Sequence, residues 1–258
     1  MKAELVEHLV KLEKEQGIRV IHVAECDSHA WGFAHDKSDR DVRFIYVQLP
    51  WAEVIQNRVN TFKVRDIENN LDIQGMELRA FISKIGQSSF NAYEILHSPC
   101  QLAEHAMHSP LLVELFTHYL NPVDIINACR GQVRRLLEFN GTITSKSMLH
   151  ALRFALIAER VKRTGKVDLN LNTMVEGTVF ETIVADLVEM RNSGNFDAPA
   201  TVLPYLNRIC YNTEWPEAEK FMVDDEWFSK LNLVYGHIVK TVCTRHELMC
   251  VSNLKWSV

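Results

Sequence analysis

The sequence predicts an α+β fold, with short strands and flanking helices over residues 1–99 and a domain of helices over 100–258. Three observations carry this. Apolar residues recur at helical spacing in 3–15, apolar runs of strand length occupy 18–24 and 39–48, and from about residue 100 the helical period holds throughout.

In order, Leu5, Val6, Leu9, Val10 and Leu12 form the core face of an amphipathic helix that Gly17 ends. Ile18 to Ala24 is apolar enough for a central strand buried on both faces. Asp27 to Phe33 reads as a turn and short helix with Trp31 as a packing anchor, and 34–38 as a polar loop. The strand 39–48 is stopped by Pro50, which has no N–H to give a ladder. A helical turn is expected over 53–58 and two strands over 61–66 and 70–74. After Gly75 the period changes: Leu78, Phe81, Ile82 and Ile85 make a helix packed on the sheet, and a second, Phe90 to Leu96, ends at Ser98-Pro99.

Asn121-Pro122-Val123-Asp124 is a capped helix start. On the helix 145–163, Lys146, His150 and Arg153 share a face. Arg153 sits inside Leu-Arg-Phe-Ala-Leu, where a guanidinium requires a fixed partner. Two readings of this face stand open: a cleft surface for triphosphate or an RNA backbone, or a solvated face with Arg153 tied to an acid. Trp215, Phe221, Trp227, Phe228, Leu231 and Val234 read as packed helices.

A content of 47 % hydrophobic and 24 % charged residues is that of an ordinary soluble globular protein. No segment reaches the ~20 apolar residues that span a bilayer, and the first residues lack a signal peptide's apolar run, so a cytoplasmic location without membrane contact is expected. Six cysteines without a Cys-x-x-Cys pair suggest neither a disulfide framework nor a zinc ribbon. A net charge of −5 does not advertise nucleic-acid binding, which would have to come from a local basic groove.

The chemistry lies in Ser38-Asp39-Arg40-Asp41-Val42-Arg43-Phe44. In an extended chain Asp39, Asp41 and Arg43 point one way while Val42, Phe44 and Tyr46 point the other. Two carboxylates side by side against a hydrophobic strand are unfavourable unless a cation lies between them, and a divalent metal is the natural one.

The strand 18–24, the turn after it and Asp39-x-Asp41 resemble the core of the DNA polymerase beta-like nucleotidyltransferase superfamily. His29-Ala30-Trp31-Gly32-Phe33, followed by Ser38 to Tyr46, is similar to its RlaP/YcgL-like branch, some members of which are associated with RNA repair. Leu71-Asp72-Ile73-Gln74-Gly75-Met76-Glu77-Leu78-Arg79 looks like that branch's Leu-Asp-Leu-x-Gly-Trp-Asp-Leu-Arg segment and makes Asp72 the third carboxylate, ahead of Asp66 and Glu68, which lack its apolar bracketing. Lys146 to Phe154 is similar to the family's helical Leu-Arg segment.

The resemblance implies a small mixed nucleotidyltransferase sheet with flanking helices as a catalytic domain over 1–99, and an all-helical domain over 100–258. It implies transfer of a nucleoside monophosphate from an NTP to an acceptor hydroxyl, with RNA, a tRNA or an RNA end, as the preferred acceptor. Asp39, Asp41 and Asp72 would be catalytic and hold Mg²⁺ or Mn²⁺; Ser28, Asp27, Arg43, Lys146 and Arg153 would contact the nucleotide. The alternatives are a catalytically weakened nucleotide- or RNA-binding module, a regulatory protein partner, and nucleotidylation of protein. They arise at Asp27-Ser28, where family members usually carry Gly-Ser: Asp27 adds bulk and negative charge where a phosphate is expected, or it caps the helix starting near Ser28.

Overall fold

The computed structural model describes residues 2–34, 38–50, 52, 61–104, 108–141, 143–193, 200–211, 225–244 and 254–256. The expected turn over 53–58, together with Trp215 and Phe221, lies outside them. The fold class is α+β, as expected, with a mixed sheet. The chain divides into a sheet unit, Met1–Ala30, Lys37–Leu120 and Met222–Val258, and a helical unit, Trp31–Asp36 and Asn121–Phe221. The expected border at 99/100 is therefore not where the units part.

In the sheet unit, helix α1 (Lys2–Gln16) leads into β1 (Ile18–Cys26), and α2 (Asp27–Trp31) begins at the turn after it. The strands β2 (Arg40–Gln48), β3 (Thr61–Asp66) and β4 (Leu71–Glu77) follow. Helices α3 (Leu78–Gly86) and α4 (Phe90–His97), strand β5 (Cys100–Glu104) and helix α5 (His108–Tyr119) come next. Two strands stand in the region read as helical throughout: β5, and β6 (Lys255–Trp256). Both are too short to show a period of two, and both are set by pairing: β5 lies antiparallel to β1, and β6 to β5. The sheet order is β3-β4-β2-β1-β5-β6, with β2 and β4 parallel and the other pairs antiparallel.

Side-chain alternation divides the core in two. Val42, Phe44, Tyr46, Leu71 and Ile73 pack with Leu5 and Leu9 of α1 on one face. On the other, Ile45 and Val47 meet Phe81, Ile85, Leu112, Phe116 and Ile238, from α3, α5 and α11 (Asp225–Thr244). Leu231 and Val234 join this core as expected, whereas Phe228 is 59 % exposed, on the outer side of α11. His22 is buried between β1 and two helices: Nε2 donates to the Ile95 carbonyl at 3.0 Å and Nδ1 lies 3.0 Å from the Ser109 hydroxyl. Burial pushes its pKa down to about 4, so it is a neutral packing residue.

The helical unit contains α6 (Pro122–Leu137), α7 (Ser145–Thr164), α8 (Leu171–Val175), α9 (Phe180–Asn192) and α10 (Leu203–Tyr211). Asn121 caps α6 by accepting from the Val123 N–H, with Pro122 in the first turn. Thr144 and Ser147 form a reciprocal cap on α7, which Gly165 ends in the left-handed region at φ 69°. Trp31, a packing anchor as expected, has the Arg153 guanidinium 3.6 Å above its ring and His150 edge-on at 5.1 Å. Asn172 and Arg191 donate to the carbonyls of Gly32 and Phe33 at 3.0 and 2.7 Å.

Gly75 is fixed by contact. It pairs with Phe44 across β2 and β4, and a Cβ there would lie 2.2 Å from the Phe44 ring. Gly75→Ala is expected to destabilise the fold by about 1–3 kcal/mol in chemical denaturation, because the buried ring has nowhere to go. Phe44→Leu in that background should recover part of the loss; an unchanged midpoint in Gly75→Ala would refute the packing.

Candidate active site

The parallel pairing of β2 with β4 sets Asp41 directly opposite Asp72. The neighbours of each on its own strand, Val42, Leu71 and Ile73, are turned into the α1-side core, so both aspartates stand on the other face. Asp72 is thus bracketed by buried apolar residues as the sequence suggests. Asp39 lies just before β2, and Cys26, at the end of β1, is opposite Asp41 on its other side. The expected face is formed, and the partner strand is one that supplies a further carboxylate.

Burial, together with the negative charges of Asp27 and Asp39, pushes the Asp41 pKa up to about 6 against the pull of Arg43. Arg43, on the same face, donates from Nη2 to Asp41 at 3.0 Å and from Nη1 to the Asp72 backbone carbonyl at 3.5 Å, tying the two strands together. Asp72 accepts from the Gln74 amide at 3.3 Å and lies 3.6 Å from Lys63 Nζ. The rival Asp66 instead accepts from Asn69 and faces the His8 ring at 2.7 Å, a turn and helix contact that holds its pKa down at about 2.

The turn carries Asp27 and Ser28. Asp27 has φ 60°, in the left-handed region where glycine is favoured and aspartate tolerated. It therefore keeps the backbone of the glycine it stands for, and its charge is felt by Asp41. Ser28 is buried next to it. Two residues without an expected role complete the site: Glu25, 3 % exposed, accepts from Arg40 Nε and Nη2 at 2.7 and 2.6 Å. This fork joins the ends of β1 and β2, beside Asp27 and Asp39. Glu25 and Arg40 stand within the quoted motif, but their partnership depends on strand pairing, which local spacing does not show.

Asp27, Ser28, Asp39, Asp41, Arg43 and Asp72 all belong to the sheet unit; Lys146 and Arg153 belong to the helical unit. Lys146 is exposed and lines a cavity of about 530 Å³ with Arg135, His150 and Phe154. Arg153 has no exposed surface: besides Trp31 it holds the Leu169 carbonyl, 3.0 Å from Nε. Its fixed partners are a ring and a carbonyl, and the helical unit uses it as core.

Among the described residues no three His, Cys, Asp or Glu side chains are gathered closely enough to hold a metal ion. The donor set nevertheless suits one, since carboxylate oxygens are the ligands hard cations take, and the Asp41 carboxylate sits among charges of its own sign. In this structure Asp41 and Asp72 turn to Arg43 and Lys63.

A mixed sheet with facing aspartates on adjacent strands and a tight turn at its edge is the arrangement of a nucleotidyltransferase-like fold. Residues 1–210 match the family model RlaP, the RNA repair pathway DNA polymerase beta family, and the chain belongs to that family. It is also 26 % identical over 204 residues to the uncharacterized protein YcgL of Bacillus subtilis (strain 168), covering 75 % of this chain and 78 % of that protein.

Asp41 makes a signed prediction. Its folded pKa of about 6 lies above the ordinary 3.8, so the folded state bears the cost of ionising it above pH 6 and none below pH 4. Asp41→Asn is expected to stabilise the metal-free protein at pH 7.5 by on the order of 1 kcal/mol after solvent screening, and the gain should vanish toward pH 4. Thermal melts across that range check both the sign and the window; a destabilised Asn variant at pH 7.5 would contradict it.

Proposed function

We propose that the chain is a metal-dependent nucleotidyltransferase that moves a nucleoside monophosphate from an NTP to an acceptor hydroxyl, with RNA as the acceptor. The observation that carries this is the register pairing Asp41 with Asp72 on one sheet face, with Asp39 two residues before. Asp39, Asp41 and Asp72 would hold Mg²⁺ or Mn²⁺. When bound, the ion supplies positive charge for the departing pyrophosphate and a lowered pKa for the attacking hydroxyl. Asp72 accepts the hydroxyl proton, and Arg43, at the edge of the carboxylate pair, offers its guanidinium to a phosphate oxygen. Ser28 and the N–H groups of its turn hold the triphosphate. The family's RNA-repair description favours RNA, a tRNA or a broken end, over protein as acceptor. No helix among the described residues is long and apolar enough to cross a membrane, which agrees with action in the cytoplasm.

Label transfer from each α-labelled NTP onto total cellular RNA and total protein tests this. RNA should be labelled, and Asp41→Asn should reduce the label at least about a hundredfold. Label in protein would change the acceptor, and label in neither pool would overturn the assignment.

Asp27 favours a second reading, a nucleotide-binding module with weakened catalysis, because it places a carboxylate within the field of Asp41. Asp27→Gly keeps the φ 60° backbone without strain and removes that charge. It is expected to tighten Mg·NTP binding by roughly tenfold while the native chain still transfers. Transfer seen only in Asp27→Gly would establish the weakened module.

A further inference from the structure

The helical unit contains a second cavity, of about 570 Å³, that none of the roles above uses. Its floor is apolar, and Arg160, Lys162 and Arg163 of α7 and Arg208 of α10 line it against one acid, Glu159. In a chain of net charge −5 such a concentration of cations is local. Lys162 and Arg163 lie in the last turn of α7, where the helix dipole favours them. That does not account for Arg208, which comes from another helix, or for the side chains that orient it.

Glu159 takes Arg208 Nη2 at 2.8 Å and the Tyr205 hydroxyl at 2.8 Å, and Asp168 lies 3.3 Å from Arg160 Nη2. Each of these arginines has five N–H donors, so one carboxylate fixes its direction and leaves donors for an oxyanion. Phe180, lining the same cavity, packs on Tyr205 with ring centroids 4.5 Å apart, and Arg208 lies 5.4 Å from the Tyr205 ring centroid. Oriented guanidiniums at the rim of a pocket with an aromatic wall combine the two contacts a nucleotide needs, phosphate neutralisation and a surface for the base.

We propose that this cavity binds a nucleoside phosphate as part of a single-stranded RNA, whose backbone crosses Arg160, Lys162, Arg163 and Arg208 while a base packs on Phe180. The inference rests on the reading that RNA is the acceptor.

Fluorescence anisotropy with a short, labelled single-stranded RNA of mixed sequence tests it on the full chain. Lys162→Ala/Arg163→Ala is expected to weaken binding at least about fivefold and to lower the salt slope by roughly one unit. Lys11→Ala/Lys14→Ala, which removes two exposed charges from α1, should bind as the native chain does. Equal losses in the two pairs, or none in the first, overturn the proposal. A fluorescent ATP analogue is the second probe, and loss of its binding with RNA binding retained would overturn RNA as the occupant. Should the cavity pair lose its helical circular dichroism, the single change Arg163→Gln at an exposed position is read by the same criteria. Transfer onto RNA with affinity unchanged in the cavity variants removes the cavity and leaves the transferase. Affinity lost in those variants of a chain that labels no RNA does the reverse.

Discussion

The parallel register of β2 against β4 is the constraint on which the site depends. A slip of one residue would turn Asp72 into the core that holds Leu71 and Ile73, and would bring an apolar side chain to the face where Asp41 stands. Two packing facts prevent the slip. Val42, Phe44 and Tyr46 fill the α1-side core, and the Phe44 ring lies over the one residue, Gly75, that leaves room for it. The chemistry is therefore positioned by hydrophobic burial on the opposite face of the same strands. Arg43 and the Glu25–Arg40 fork then fix the strand ends by charge-assisted hydrogen bonds.

This arrangement opposes stability. Burial and the neighbouring Asp27 and Asp39 make the ionised form of Asp41 unfavourable, and Asp27 holds a backbone conformation that a side chain disfavours. Neither feature helps the fold, and both sit where the strands of the sheet end. Unfavourable charge concentrated at one place in an otherwise apolar sheet is the signature of a site retained for binding. The second core, toward α3 and α5, supplies the hydrophobic surplus that tolerates it.

Much of this was legible because it is local. Strand periodicity put Asp41 and Arg43 on one face, the apolar neighbours of Asp72 separated it from Asp66, and Asn121-Pro122 marked a helix start. What was not legible depends on pairing across the chain. Nothing in Cys100–Glu104 or Lys255–Trp256 announces a strand, since each is defined by its neighbour. Arg153 could be read as needing a partner, yet an aromatic ring and the Leu169 carbonyl leave no local mark in sequence. The Glu25–Arg40 fork was hidden for the same reason: it joins the ends of two strands across a turn.

The placement of charge explains how a chain of net charge −5 can serve a polyanion. A uniformly basic surface would attract any nucleic acid through counterion release and would discriminate little. Here the average field repels polyanions, so affinity must come from cations held in fixed directions. Glu159 and Asp168 orient arginines in the helical unit, and Asp41 does the same for Arg43 in the sheet unit. Each such carboxylate lowers the net charge while sharpening the local geometry, so the acidity of the whole and the basicity of its pockets have one cause. Binding built in this way selects for a phosphate in the right place over phosphate in general.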